Sequence, residues 1–276
     1  MKKMVILNIT HGDHPYCTKN GFLPIAAGAC RNDILNDACG EDNISHKNRH
    51  YGDLTSIYWA WKNLRGIDII GTSHYRRYIS DIAYLPEVEY SVDWESFNSY
   101  HYKTNNFKRL LKKYDFIMVR TLCLEETIGQ QYIACHPYPE NLKIVDDVLS
   151  EIYPDYTIYW RQYLESNNLQ YGFLFMTKWI HFDGLCSWLF PILEAVEARI
   201  DCSKYEGYQS RVIAYLYERL VPVYIYKNNL SIFHMPMFIV SEEGVSIKTH
   251  IDNYYISMMN KYTYRFIKKI RNLLKL

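Results

Sequence analysis

The hydrophobic positions in the first half of the chain predict strands that alternate with helices. Residues 4–10 form an apolar run typical of a strand. The segment 53–64 repeats its apolar residues at helical spacing and leads into a second apolar run at 67–73. The same order recurs where residues 106–114 precede the run 115–120. A helix followed directly by a strand, repeated along the chain, is typical of an α/β layer with parallel strands.

The second half of the chain is richer in helical patterns. The predicted helices are 139–153, 156–165, 182–200 and 206–220, and the predicted strands are 171–177 and 221–226. Pro191 is expected to kink its helix or to split it. Because no internal repeat and no low-complexity linker occurs, we expect one α/β domain over 1–250, followed by a separate helix at 251–276.

Composition narrows the class of protein. The 276 residues carry a net charge of +1, which argues against a nucleic-acid-binding protein that uses a broad basic surface. Aromatic residues make up 16% of the chain and include 27 tyrosines. Such rings either pack in the core or present rings and hydroxyls to a ligand such as a sugar.

Cysteine usage and the N-terminus point to the cytosol. The seven cysteines contain no C-x-x-C pair, and an odd set of this kind indicates neither a disulfide framework nor a zinc site. The apolar run at 4–7 is too short for the core of a signal peptide. No stretch approaches the roughly 18 apolar residues of a membrane span.

The segment 261–276 differs in charge from the rest of the chain. It holds six basic residues and no acid, whereas the preceding residues hold 25 basic and 30 acidic ones. Its apolar residues fall on one helical face: Phe266, Ile267, Ile270, Leu273 and Leu274. This pattern is typical of an interfacial helix on an anionic membrane. A helix docked on its own domain would use the same apolar face.

The segment 71–80, GTSHYRRYIS, places His74, Arg76 and Arg77 directly after an apolar strand. A guanidinium group meets a carboxylate or a phosphate with two parallel hydrogen bonds. At the carboxyl end of a strand in an open α/β sheet, these arginines would neutralise a diphosphate. Neighbours in an extended segment point to opposite sides, so both arginines reach one ligand only if the backbone turns there. The alternative is that one arginine pairs with a buried acid.

Metal ligands are not evident in the sequence. Enzymes that use nucleotide diphosphates often bind Mg²⁺ or Mn²⁺ on a D-x-D pair, and the chain contains none. The pairs Glu87/Glu89 and Asp146/Asp147 are interpreted as surface charges. We therefore expect no required cofactor and no metal site, with the paired arginines and a histidine as counter-ions of a leaving diphosphate.

An ordered set of motifs within 4–225 resembles a known family. The motifs are THGDHPY, DNISHKNRHYGDLTSIYWAWKN, GTSHYRRYIS, DGLCSWLFPILEAVEARID and YQSRVIAYLYERL. They resemble a bacterial capsular and exopolysaccharide synthesis family that is catalogued as a domain of unknown function and treated as glycosyltransferases. The resemblance implies a GT-A-like fold and transfer of a hexose, often galactose, from a UDP-sugar to a lipid-linked glycan. Gly172 departs from the family's asparagine, and Gly52-Asp53 departs from its usual Cys-Glu pair.

The resemblance suggests binding roles for the residues in these motifs. Thr10 and His11, at the end of the first strand, are assigned to the uridine. Lys47 and Asn48 are expected near the nucleotide, unless they lie in a solvated loop. Asp53 is either a helix cap or an acceptor for a sugar hydroxyl. His74, Arg76 and Arg77 are assigned to the diphosphate, which becomes more negative as the bond to the sugar breaks.

A catalytic base is needed if the transfer inverts the anomeric configuration, because the attacking hydroxyl must lose a proton. Glu218 and Asp183 are the acids that lie in family-like segments, and Glu218 is the first choice. The alternatives are that Glu218 forms a structural pair with Arg219 and that Asp183 caps a helix.

Two classes of function follow from these expectations. The first is a cytoplasmic glycosyltransferase, peripheral on the inner membrane face, that binds a UDP-sugar, a lipid-linked glycan and, through 261–276, an anionic membrane. The second is a non-catalytic nucleotide- or glycan-binding module of a polysaccharide assembly complex. Release of UDP in the presence of an acceptor would separate them.

Overall fold

The computed structural model describes residues 3–28, 31 and 33–274. The strands in these residues are β1 Met4–Thr10, β2 Phe22–Ala26, β3 Leu35–Asn36, β4 Ile69–His74, β5 Arg77–Ile79, β6 Glu89–Val92, β7 Phe116–Val119, β8 Leu122–Cys123, β9 Asn168–Leu169, β10 Phe175–Lys178, β11 Ile232–Met235 and β12 Met237–Val240. The helices are α1 Asn48–Tyr51, α2 Leu54–Asn63, α3 Trp94–Ser99, α4 Thr104–Leu110, α5 Ile128–Cys135, α6 Glu140–Ile152, α7 Pro154–Glu165, α8 Trp179–Glu197, α9 Val212–Lys227 and α10 Ile247–Leu274. Short 3₁₀ turns occur at Ser45–Lys47, Cys202–Lys204 and Gly207–Arg211.

The main sheet has the strand order β11-β7-β10-β4-β1-β2-β3. Strands β1, β2, β3 and β4 are parallel, and β7 is parallel to β11. Strand β10 lies between β4 and β7 and is antiparallel to both. The sheet is therefore mixed, whereas the alternation of helices and strands in the sequence predicts parallel strands.

A second set of strands continues from β4. Strand β5 returns antiparallel to β4 and pairs with β12, which pairs in turn with β6. Strands β8 and β9 form a separate two-stranded ribbon.

The central strands are buried because helices cover the sheet. Leu7 of β1 and Ile70 of β4 are fully buried, and helix α8 packs against β4 and β10. Strands buried on both faces carry apolar runs without a regular polar face, and residues 4–7 and 69–70 are such runs. The apolar side chains of these strands form part of one hydrophobic core.

The predicted strand at 221–226 is wrong, because these residues belong to helix α9. The helix extends from Val212 to Lys227 and includes Pro222. Within 212–223, Glu218 has the one side chain that is not buried. A continuous apolar run does not distinguish a buried helix from a buried strand, because neither has an exposed polar face. Helix α8 likewise continues through Pro191 as one element, so the predicted split there is wrong.

Helix α10 begins at Ile247, earlier than the predicted boundary at 251, and its first turns dock on the domain. Ile247 is buried, and His250 Nε2 lies 2.8 Å from the main-chain oxygen of Ser91. The ring of Tyr254 lies 5.1 Å from that of Tyr84.

Beyond these contacts, α10 carries large exposed side chains: Tyr255, Ile256, Met259, Tyr262 and Phe266. The side chains of Ile267, Ile270, Leu273 and Leu274, which belong to the predicted apolar face, lie outside the described part of the structure. No helix in the described residues is long and apolar enough to cross a membrane.

Candidate functional site

A cavity of about 240 Å³ opens at the carboxyl ends of β1 and β4. This is the edge at which open α/β sheets usually bind their ligands. Its walls come from the end of β1, the α1–α2 segment, the β4–β5 turn and the start of α9. Most of the residues predicted from the sequence line it: His11, Asn48, Asp53, His74, Arg76, Arg77 and Glu218.

The β4–β5 turn brings both predicted arginines to the cavity. His74 and Arg77 are paired across the two strands, and Tyr75 and Arg76 form the connecting turn. The backbone therefore turns at the point where an extended segment would have separated the two guanidinium groups. Buried Asn8 supports this turn, because its Nδ2 donates to the His74 carbonyl oxygen at 3.0 Å. The turn therefore places the side chains of Arg76 and Arg77 at the same cavity.

Three arginine side chains in the cavity wall have no polar partner within the described residues. Arg76, Arg77 and Arg211 line the cavity, and no hydrogen bond or ion pair is found for their guanidinium groups. Their neighbours are aromatic: the guanidinium carbon of Arg76 lies 5.5 Å from the ring centre of Tyr75, and that of Arg77 lies 5.8 Å from Phe173. A cluster of unpaired cations in a concave site favours an anionic ligand.

Asp53 is held by two partners. Its Oδ2 accepts a 2.6 Å hydrogen bond from the Tyr217 hydroxyl and lies 3.1 Å from His74 Nε2, an ion-pair distance without the alignment of a hydrogen bond. Burial opposes ionisation of Asp53, but His74 and Tyr217 outweigh it and lower the pKa of the carboxyl. Asp53 precedes α2 without making a capping hydrogen bond, so the cap interpretation is wrong. Its carboxylate instead lies against His74 at the cavity wall.

Glu218 faces the cavity from the middle of α9. Its side chain is 29% exposed, and Oε2 lies 3.3 Å from Nη1 of the buried Arg219. Burial raises the pKa of Glu218 to about 7, although the charge of Arg219 opposes the shift. Arg219 also donates to the Tyr215 carbonyl oxygen and to Gln131. A carboxyl with a pKa near neutrality is suited to take up a proton.

The backbone at Glu218 is shaped by two other residues. Pro222 has no N–H, so it cannot donate to the Glu218 carbonyl oxygen one helical turn earlier. Gly172 lies against this carbonyl, and a Cβ at position 172 would be 2.3 Å from the oxygen. The close approach therefore requires glycine at the position where the family resemblance predicts asparagine.

Two predicted nucleotide residues do not line the cavity. Thr10 is fully buried, and its hydroxyl donates to the His14 carbonyl oxygen at 3.3 Å, so it shapes the turn that carries His11. Lys47 pairs with Glu197 at 2.5 Å. We therefore remove Lys47 from the candidate site and assign Thr10 a supporting position.

Asn48 and Asp183 also differ from expectation. Asn48 lines the cavity, but its Nδ2 donates to the Gly52 carbonyl oxygen at 2.8 Å and so holds the loop before α2. Asp183 is exposed on α8 and accepts a 2.7 Å hydrogen bond from Trp61 Nε1. It neither lines the cavity nor caps α8, whose first residue is Trp179. Asp183 is therefore not a candidate base.

The wall of the cavity that faces the β4–β5 turn was not predicted from the sequence. Tyr208 and Arg211 come from the 3₁₀ turn Gly207–Arg211, and Tyr215 comes from the first turns of α9. Arg211 lies inside the motif YQSRVIAYLYERL, which was interpreted for its helix and its acid alone. The signal that the motif offered for this wall was an arginine directly before the apolar residues of a helix.

A divalent cation is held by several oxygen or nitrogen ligands that converge on one point. Within the described part of the chain, no three His, Cys, Asp or Glu side chains gather around one point. The acids of the cavity wall are Asp53, which lies beside His74, and Glu218, which lies beside Arg219.

The fold matches that of a glycosyltransferase. The chain is similar to the apo structure of WbbM, a bifunctional glycosyltransferase, with a TM-score of 0.76 and 22% identity over 87% of this chain. The match covers 46% of the WbbM chain, so this chain spans less than half of that protein. The likeness confirms the mixed α/β, GT-A-like fold expected from the sequence.

The family is also established. Residues 5–229 match the family described as "Domain of unknown function (DUF4422)", and the chain belongs to it. No curated protein matches the chain.

Proposed function

We propose that this protein is a glycosyltransferase that transfers a hexose from a UDP-sugar. The observation that carries the proposal is the convergence of Arg76, Arg77 and Arg211, which have no acidic partner among the described residues, on a cavity that also contains a carboxyl with a pKa near neutrality. Cations suit a diphosphate leaving group, and a carboxylate suits an acceptor hydroxyl. The family membership and the glycosyltransferase fold support the same reaction.

The cavity residues divide the reaction between them. In an inverting transfer, the acceptor oxygen attacks the anomeric carbon while the bond from that carbon to the diphosphate oxygen breaks. The electron pair of the broken bond goes to the diphosphate, where Arg76, Arg77 and His74 lie to stabilise it. The proton of the acceptor hydroxyl goes to Glu218. Asp53 keeps the imidazole of His74 directed at the cavity.

The donor, the acceptor and the setting are proposals from the family resemblance. We propose galactose as the transferred hexose and a lipid-linked glycan of capsule, exopolysaccharide or O-antigen synthesis as the acceptor. Such an acceptor would place the enzyme at the inner face of the membrane. The exposed apolar residues of α10 and the basic segment 261–276 support this location.

We also propose that turnover needs no divalent cation, because the cavity supplies guanidinium groups where other enzymes use a metal. A chelator should then leave most of the activity intact. A loss of activity that Mn²⁺ restores would contradict this part of the proposal.

The test of the proposed function is a donor screen followed by a turnover assay. Thermal shift against a panel of UDP- and GDP-sugars identifies the donor, because a ligand that binds the folded state raises Tm. UDP release is then measured with and without an oligosaccharide acceptor. Acceptor-dependent release is expected. Stoichiometric binding without release would instead favour the non-catalytic module.

A further inference from the structure

The 3₁₀ turn Gly207–Arg211 is exposed at the cavity mouth but is firmly tied to the domain. Gln209 Nε2 donates to the Cys135 carbonyl oxygen at 2.9 Å, and Gln209 Oε1 lies 2.9 Å from His136 Nδ1. His50 Nδ1 lies 2.7 Å from the Ser210 carbonyl oxygen. The segment is therefore held on two sides, although Tyr208 and Arg211 are exposed. Such anchoring suits a segment that must keep a side chain in a fixed position.

A cluster of three rings connects this turn to the interior. The ring of buried His136 stacks on Tyr215 at 3.9 Å, and the ring of Tyr208 lies 5.1 Å from Tyr215 and 6.1 Å from His136. Tyr215 is 7% exposed, whereas Tyr208 is 68% exposed and lines the cavity. Tyr208 is therefore the exposed ring of this cluster. An open ring of this kind is a stacking platform for a planar group, and every nucleobase has a π face.

The aromatic residues on the other wall are less suited to this role. The ring of Tyr75 already stacks on His14 at 4.2 Å and an interplanar angle of 10°, with Arg76 5.5 Å from its centre. Tyr75 is also only partly exposed. The open ring in the cavity wall is therefore that of Tyr208.

Arg211 completes the same wall. It follows Tyr208 by three positions in the turn and lines the cavity. It shares the cavity wall with His11 at the end of β1, and its charge, together with burial, lowers the pKa of His11. Tyr208 and Arg211 therefore lie on one anchored segment. A ring suits the base of a nucleoside diphosphate, and a guanidinium group without a polar partner among the described residues suits its diphosphate.

We propose that Tyr208 stacks on the base of the nucleoside diphosphate and that Arg211 binds its diphosphate opposite Arg76 and Arg77. The proposal rests on the proposed function and adds the residues that recognise the nucleotide half of the donor. It also places the base against the 3₁₀ turn, with His11 at its edge, whereas the sequence pattern assigned the uridine to Thr10 and His11 and expected Lys47 and Asn48 near the nucleotide.

Isothermal titration of the full chain with UDP and with inorganic pyrophosphate tests the proposal. Tyr208→Ala should weaken UDP binding by about 5- to 150-fold, the range for loss of one stacked base, and leave pyrophosphate binding unchanged. Tyr208→Phe keeps the ring and should restore UDP affinity. Arg211→Gln should weaken both ligands. Tyr262→Ala is the matched control, since Tyr262 is 62% exposed but lies on α10 outside the cavity.

Three results would overturn the proposal. If Tyr208→Ala binds UDP as tightly as the wild type, Tyr208 does not stack on the base. If the variant loses affinity for UDP and pyrophosphate equally, Tyr208 supports the structure of the cavity wall and does not contact the base. A UDP-specific loss in Tyr75→Ala alone moves the base to the other wall. The proposed function fails separately, if the wild-type protein binds UDP but releases none from any UDP-sugar in the presence of acceptor.

Discussion

Asp53 and Glu218, the two acids of the cavity wall, have pKa values displaced in opposite directions. Asp53 is ionised because His74 and Tyr217 outweigh the effect of burial. Glu218 is partly protonated near neutrality because burial outweighs the effect of Arg219. Two acids in one site whose pKa values are displaced in opposite directions take different roles, and the acid with the raised pKa exchanges the proton. We therefore propose that Asp53 positions His74 and that Glu218 is the base.

Replacing Glu218 by glutamine tests the base directly. Glu218→Gln should lower kcat by about 10²- to 10⁴-fold, because the amide cannot accept the proton of the acceptor hydroxyl. In the wild type, the ionised form is the active one, so kcat should rise as pH increases through about 7. UDP affinity, measured by titration, should stay close to that of the wild type. A variant with normal turnover would exclude Glu218 as the base.

The same substitution has an expected effect on stability. The pKa of Glu218 in the folded protein, about 7, lies above its ordinary value of 4.5. The group's favourable contribution is therefore complete below about pH 4.5 and is lost as pH rises through 7. Glu218→Gln should have a higher Tm than the wild type at pH 8 and an equal Tm at pH 4. Equal Tm values at both pH values would show that the carboxyl is not perturbed by folding.

Arg76 and Arg77 should be sensitive even to a conservative change. Lysine at either position keeps the charge but loses the fork that holds a phosphate with two hydrogen bonds. A charge-assisted contact is worth about 2–3 kcal/mol, so Arg76→Lys and Arg77→Lys should each lower kcat/KM by roughly 30- to 150-fold. Arg161→Lys, at an exposed ion pair with Asp146, serves as the control. Wild-type kinetics in both folded variants would argue against a diphosphate at this turn.

At the scale of elements, helix α9 is the part that links the fold to the chemistry. It packs against α1, α7 and α8, and it carries Ala214, Tyr215 and Glu218 to the cavity. Pro222 frees the Glu218 carbonyl oxygen from the helical hydrogen-bond ladder. The segment that leads into β10 then approaches this carbonyl at Gly172, where no Cβ fits. The position of Glu218 is thus set both by α9 and by the segment that packs against α9 at Gly172.

Gly172→Ala should therefore disturb Glu218 without touching the ligand. The added Cβ would lie 2.3 Å from the Glu218 carbonyl oxygen and 3.0 Å from its carbon, so the segment or the helix must shift. A displacement of about 1 Å at the base can cost about 10²-fold in kcat. Gly129→Ala is the control, since its Cβ would meet no atom nearer than 3.4 Å. If Gly172→Ala matched the control in kcat and Tm, the close packing would have no role in catalysis.

The sequence predicted the elements whose pattern depends on their own residues. The apolar run of β1 and the amphipathic pattern of α6 correspond to elements in the structure. The C-terminal part of α9 was misread because residues 221–223 are buried and its exposed position is Tyr226, so the segment lacks the charged face that identifies a helix. Strand β10 was recognised, but its antiparallel direction depends on its neighbours β4 and β7.

The same distinction holds for the candidate site. His74, Arg76 and Arg77 lie in one turn, so a single motif brought them together. Lys47 was misassigned because its partner, Glu197, is 150 positions away. Asp183 was misassigned for a similar reason, since it contacts Trp61 across 122 positions. Pairings over such distances are set by tertiary packing, and no local pattern in one sequence encodes them.

At the scale of the whole molecule, α10 adds a surface that the domain does not use. Its first turns dock through Ile247 and Tyr254, and the exposed Tyr255, Met259 and Tyr262 then recur at spacings of four and three. Residues three or four apart lie on the same face of a helix. The apolar face predicted for 261–276 therefore begins earlier, at about residue 255. Neither an apolar face nor positive charge alone holds a protein firmly on a membrane, but their combination does.

Deleting 261–276 should separate membrane binding from chemistry. Six cations contribute about 1 kcal/mol each near an anionic surface, within a Debye length. The truncated protein should no longer sediment with anionic vesicles and should be slow with a lipid-linked acceptor, yet keep its rate with a short soluble acceptor. Full-length protein should bind vesicles less tightly at high salt, because the cationic contribution is screened. Tyr262→Ser with Phe266→Ser, which keeps every charge, should weaken vesicle binding without changing its salt dependence. If the truncated protein unfolds or loses activity on the soluble acceptor, α10 is a structural helix of the domain and not a membrane anchor.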